Sequence, residues 1–81
     1  MRFFYTPQFK KSLAGFTPEI RKKFYKQARF LLKDLRHPSL RTKKYDETRD
    51  IWQARVDKNV RFYFLIKRDL YILLDIVHHP K

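Results

Sequence analysis

The stretch "IWQARVDKNVRFYFLIKRDLYILLDIVHH", residues 51–79, limits the fold more than any other feature. It holds three runs rich in β-branched and aromatic residues, "IWQARV", "VRFYFLIK" and "LYILLDIVHH", broken only by "DKN" and "RD". Such runs favour a pleated, half-buried surface, and the short polar breaks suit tight turns. Strands joined by so few residues must run antiparallel. A three-stranded meander is therefore expected.

Register follows from the side-chain pattern, because directly opposed residues of an antiparallel pair share a face. A three-residue loop, Asp57-Lys58-Asn59, pairs Val56 with Val60, Ala54 with Phe62 and Trp52 with Phe64, so every pair on that face is apolar. Asn59 then takes the left-handed position such loops favour. A two-residue loop, Lys58-Asn59, sets Arg55 against Phe62 and mixes the faces, which a buried register resists. The three-residue choice opposes Arg55 to Arg61, with Gln53 and Tyr63 beside them. Like charges in that position weaken a sheet. The pairing makes sense if an anion sits between the two guanidinium groups, which bind phosphate bidentately. An odd-length second turn near Lys67 to Leu70 sends Ile72, Leu74 and Ile76 to the Phe62 face. Tyr71, Leu73, Asp75, Val77 and His79 go to the arginine face, and His78 points away.

Upstream, "MRFFY" reads as a first strand that Thr6-Pro7 ends. Thr6 as N-cap and Pro7 at the first helical position open a short helix carrying Phe9 and Leu13, which Gly15 closes. Thr17-Pro18 repeats the signal for a longer helix, with Ile20, Phe24, Ala28, Leu31 and Leu35 on one face, and His37-Pro38 stops it. Its basic residues are the solvated side of an amphipathic helix or contacts to a nucleic-acid backbone. Residues 39–50, "SLRTKKYDETRD", show no period and are expected to be a surface loop. The expected architecture is a single α+β domain, 1–81: an N-terminal strand, two helices, then a three-stranded antiparallel β-meander, with the helices on one face of the sheet.

Charge narrows the function. Twenty Lys and Arg against eight Asp and Glu give +12, which points to a polyanionic or acidic partner. Aromatic content of 17% marks a chain with a core rather than a basic disordered tail. Without cysteine there is no disulfide framework, thiolate metal site or cysteine nucleophile. No Gly-rich phosphate cradle exists, since Gly15 is the only glycine. No run has signal-peptide character or approaches the roughly 18 apolar residues of a membrane span, so a cytoplasmic location is expected. His79 is the side chain best able to exchange a proton near neutral pH. Lys43 and Lys44 can reach over the arginine face, and Asp46 and Glu47 are candidate proton acceptors. His78 and His79 diverge on a strand and lack a third ligand, so neither a metal nor another cofactor is expected.

The order of elements, "TPQF" at the first helix, "HPSLRTKK" after the second, and "IWQARVDKNVRFYF" before a final "VHH" resemble the RelE/ParE toxin superfamily of toxin-antitoxin modules. The pattern W-x-x-R-V, an Arg five residues further and a His 18 residues beyond it is most similar to the YoeB-like branch. The resemblance covers essentially the whole chain. It implies a ribosome-dependent mRNA endonuclease, neutralised by a cognate acidic antitoxin, in which the message and ribosomal RNA are partners. Arg61 matches the phosphate-stabilising arginine, Arg55 a second basic position, and His79 the general acid. The branch's carboxylate base falls near Thr42, leaving Glu47, Lys43 or Lys44 as substitutes, and a tyrosine after the histidine is replaced by Pro80. Lys43, Lys44, Tyr63 and His78 are expected to contact RNA. Two other functions share the fold or the charge: a ParE-like gyrase inhibitor without nuclease activity, and a basic RNA-binding module using Tyr63 and Trp52 as stacking platforms.

Overall fold

A computed structural model describes residues 1–79. The chain runs β1 (Arg2–Tyr5), α1 (Pro7–Ala14), α2 (Pro18–Lys33), a 3-10 turn (Pro38–Leu40), β2 (Lys43–Asp46), β3 (Ile51–Asp57), β4 (Val60–Lys67) and β5 (Leu70–His78). Both helices start where their Thr-Pro pairs dictate. Thr6 Oγ1 accepts from Phe9 N at 3.2 Å and Thr17 Oγ1 from Ile20 N at 3.3 Å. The Thr6 hydroxyl also donates to the Leu73 carbonyl at 2.7 Å, which ties the start of α1 to β5. Gly15 closes α1, but at φ −79°, a conformation open to any residue. α2 stops at Lys33, short of the expected Leu35, where Asp34 turns extended.

The sheet is larger than the expected meander. It has five strands in the order β1-β5-β4-β3-β2. It is mixed, because β1 lies parallel to β5 while the remaining pairs are antiparallel. β2 occupies part of the stretch expected to be a loop. Its residues alternate between exposed and half-buried and include Lys43 and Lys44, a composition that protects a sheet edge yet offers no apolar period to read. The same stretch supplies Leu40, which the 3-10 turn buries completely in the core.

The register of β3 on β4 opposes Trp52 to Phe64, Ala54 to Phe62 and Arg55 to Arg61, as expected. The turn between them differs: Asp57, not Val56, pairs with Val60, and Val56 is the extra residue of a bulge. A two-residue turn and the apolar register coexist because the bulge absorbs the odd residue. Asn59 accordingly is not left-handed; positive φ occurs at Arg41, Asp50 and Arg68. The second turn is also corrected. Lys67 pairs with Leu70 across Arg68-Asp69, so Ile66 faces Tyr71, Leu65 faces Ile72 and Phe64 faces Leu73. Tyr71 and Leu73 therefore join the core, and Ile72 takes the other face. A bulge at Leu74 then restores the expected parity, with Tyr63 against Asp75, Phe62 against Ile76 and Arg61 against Val77.

Both helices cover one face of this sheet. Phe9 of α1 packs on Phe24 of α2, and Phe24 meets Phe62 of β4 edge-on at 5.2 Å. Trp52, expected to be buried, is half-buried beside Phe64 at 6.3 Å. The Tyr71 hydroxyl reaches through to the Leu31 carbonyl at 3.3 Å. Two polar side chains are buried among the described residues, Gln53 on the arginine face and Gln27 of α2. Gln27 donates to the carbonyls of Arg55 at 2.8 Å and Ser39 at 3.1 Å, and accepts from the Ser39 hydroxyl at 2.9 Å. It pins α2 and the 3-10 turn to β3 at the arginine pair. Among the described residues, no helix is long and apolar enough to cross a membrane.

Candidate functional site

The sheet face left uncovered by the helices carries the Arg55–Arg61 rung and opens into a cleft of about 300 Å³. Arg41, Lys43, Gln53, Arg55, Arg61 and His79 line it. Five segments converge there: the end of the 3-10 turn, β2, β3, β4 and the end of β5. Arg41 is delivered by a left-handed step (φ 46°, ψ 50°) that ends the 3-10 turn. Thr42 fixes that exit by donating its hydroxyl to the Leu35 carbonyl at 2.8 Å. Lys43 stands opposite Gln53 in the β2–β3 register. His79 lies just beyond β5, and its backbone N–H donates to the Asn59 carbonyl at 2.7 Å, which holds it against the β3–β4 turn.

Hydrogen bonding fixes one of the two opposed arginines. Arg61 Nη1 donates to the carbonyls of Asp57 at 2.6 Å and Val60 at 3.2 Å, turning its guanidinium toward the hairpin. Burial lowers the Arg61 pKa, and the charge of Arg55 lowers it further. Asp57 offsets this only in part: its charge raises the Arg61 pKa, but by less than burial and Arg55 lower it. Burial pushes its carboxyl up, but the Asn59 N–H at 2.8 Å and the Lys23 ammonium at 3.5 Å more than reverse this, so it stays below the usual range. Among the described residues, neither Arg55 nor Arg61 has a carboxylate within ion-pair distance. Arg55 Nε is buried without a hydrogen-bond partner, the single side-chain polar atom in that state among the described residues. A buried, unmet donor costs about 1–3 kcal/mol, and the Arg55 side chain that carries it lines a cationic cleft.

Of the residues nominated from the sequence, Arg55, Arg61, His79 and Lys43 come together. Tyr63 lies on the same face, one rung along, between Gln53 and Asp75. The others do not join. Lys44 faces the opposite way, 5.1 Å from the Trp52 ring centre and 2.8 Å from Asp50. His78 packs on Phe16 at 4.8 Å. Glu47 is exposed in the turn between β2 and β3, outside the cleft lining, and Asp46 is held by Arg49 at 2.7 Å. Pro80 lies outside the described residues. Sequence reasoning missed Arg41 and Tyr45. Arg41 reaches the cleft only through a left-handed arginine, which no local signal announces. No group of three or more His, Cys, Asp or Glu suited to a metal ion occurs among the described residues.

A two-helix layer over a mixed five-stranded sheet is a fold shared with solved RelE, YoeB and YoeB/ParE toxin structures. The YoeB dimer structure from Staphylococcus aureus matches with a TM-score of 0.83 at 10% identity, over 99% of this chain and 98% of that one. A YoeB/ParE toxin from Agrobacterium tumefaciens gives 0.80 at 10% identity, over 99% and 100%. A chain of the RelB-RelE antitoxin-toxin complex from Methanococcus jannaschii gives 0.76 at 19% identity, over 93% and 88%. No family model and no curated protein sequence matches the chain.

Proposed function

We propose that this protein is the toxin of a toxin-antitoxin pair and acts as a ribosome-dependent mRNA endonuclease. The observation that carries this reading is the cleft itself: opposed Arg55 and Arg61 without carboxylate partners, an orphaned Arg55 Nε, and His79 at the rim. In the reaction, the ribose 2′-oxygen bonds to the adjacent phosphorus and the bond to the 5′-oxygen breaks. The products are a 2′,3′-cyclic phosphate and a 5′-hydroxyl. Arg55 and Arg61 stabilise charge that grows on the phosphoryl oxygens, and His79 donates its proton to the departing 5′-oxygen. Of the groups nominated to accept the 2′-hydroxyl proton, Lys43 lines the cleft while Lys44 and Glu47 do not. Lys43 is therefore the nominated group placed to accept that proton.

The partner in this reading is an acidic antitoxin, supported by the charge of +12 and by neighbouring folds solved with RelB or YefM. The test is primer extension on ribosomes programmed with mRNA. Wild type should cut, and Arg61→Ala should cut about 10²–10³-fold more slowly while melting as a folded protein. Equal cutting by both removes Arg61 from the mechanism. Inhibition of gyrase supercoiling with no RNA cut would replace the nuclease reading with gyrase binding.

A further inference from the structure

The same sheet face carries an aromatic pair that phosphate chemistry leaves unused. Tyr45 is 58% exposed, more than any other large apolar or aromatic side chain that the fold leaves uncovered among the described residues. Its ring meets Tyr63 at 4.7 Å between centroids and an interplanar angle of 60°. Local backbone geometry builds this contact. The β2–β3 register slips between Lys44 and Asp46 and leaves Tyr45 as the extra residue, and bulges re-aim side chains in this way. Tyr63 supports Tyr45 from β4, on the rung next to Arg61. Residues two apart on a strand share a face about 7 Å apart, which sets Tyr63 beside Arg61, with the Tyr45 ring a further 4.7 Å from the Tyr63 ring. Burial, reinforced by Tyr45, pushes the Tyr63 phenol above its usual range against the pull of Arg61, so the ring stays uncharged beside an anion.

We propose that Tyr45, backed by Tyr63, is a stacking ledge for a base of single-stranded RNA whose neighbouring phosphate is held by Arg55 and Arg61. This rests on the reading of the cleft as a phosphate site and adds the position of the strand on it. Every base has a π-face, so the ledge contributes affinity and alignment rather than base identity.

The test uses two labelled oligomers of equal length: a short 2′-O-methyl oligouridine, which has no attacking hydroxyl, and the same backbone with abasic sugars. Fluorescence anisotropy at low salt reads their affinity for wild type, Tyr45→Ala, Tyr45→Phe and Arg61→Ala. Wild type should prefer the base-bearing oligomer by about 5- to 150-fold, the range of one base stacked on an aromatic ring. Tyr45→Phe should keep that preference and Tyr45→Ala should lose most of it. Arg61→Ala should weaken both oligomers by a similar factor. Equal affinity of wild type for the two oligomers, undetectable binding of both included, overturns the ledge. So does a Tyr45→Ala variant that keeps the preference or weakens both oligomers alike. If Arg61→Ala changes neither affinity while the Tyr45-dependent preference persists, the phosphate site fails and the ledge stands.

Discussion

Gln27, 4% exposed in the seam between α2 and β3, shows how one buried polar side chain can set a site it does not line. Burying an amide is favourable only when its hydrogen bonds are met, and here all three go to Ser39 and Arg55. Gln27→Leu keeps the volume but strands the Arg55 carbonyl in the interior. The expected loss is about 1–3 kcal/mol of stability, read as a fall in the denaturation midpoint. At this chain length each kcal/mol is worth about 4–8 °C in Tm. A variant that melts with wild type would show that water replaces the amide without cost.

At the level of elements, the turns carry the strain. Arg68 holds φ 56° in the two-residue connection between β4 and β5, a conformation that costs an L-residue roughly 1–2 kcal/mol and a glycine nothing. Arg68→Gly should therefore raise stability by up to about 1 kcal/mol, the rest being offset by glycine's greater freedom when unfolded. The proposed RNA cutting should be unchanged, because Arg68 sits at the end of the hairpin away from His79. A drop in Tm would mean that the arginine side chain holds the turn. The same turns explain what could be read in advance. Apolar alternation in β3 and β4 is strong, so the Arg55–Arg61 rung and the cleft that follows from it were legible. β5 is apolar on both parities, and nothing in "LYILLDIV" marks Leu74 as the residue that bulges. Tyr71 and Leu73 were misplaced for that reason alone. β2 was missed because an edge strand of lysine, tyrosine and aspartate looks like a loop until β3 pairs with it. β1 had the right type, but its parallel place beside β5 is a pairing between chain ends that no local pattern encodes.

For the molecule as a whole, +12 on a small domain acts in two directions at once. Self-repulsion destabilises the compact state, and the same charge draws in an acidic partner. The two effects respond oppositely to salt, because the screening length falls from about 10 Å at 0.1 M to about 3 Å at 1 M. The free protein should melt at a higher temperature as salt is added, since screening relieves repulsion among charges such as those lining the cleft and the α2 surface. A complex with the proposed antitoxin should gain about 2.7 kcal/mol over the free chain at one hundred times Kd, or about 10–20 °C. That gain should shrink with added salt at fixed partner concentration. Thermal melts of the free chain and the complex across a salt series check both signs together. A complex whose extra stability ignores salt would mean that the partner is held by apolar surface instead, and the charge would then have to be assigned to RNA alone.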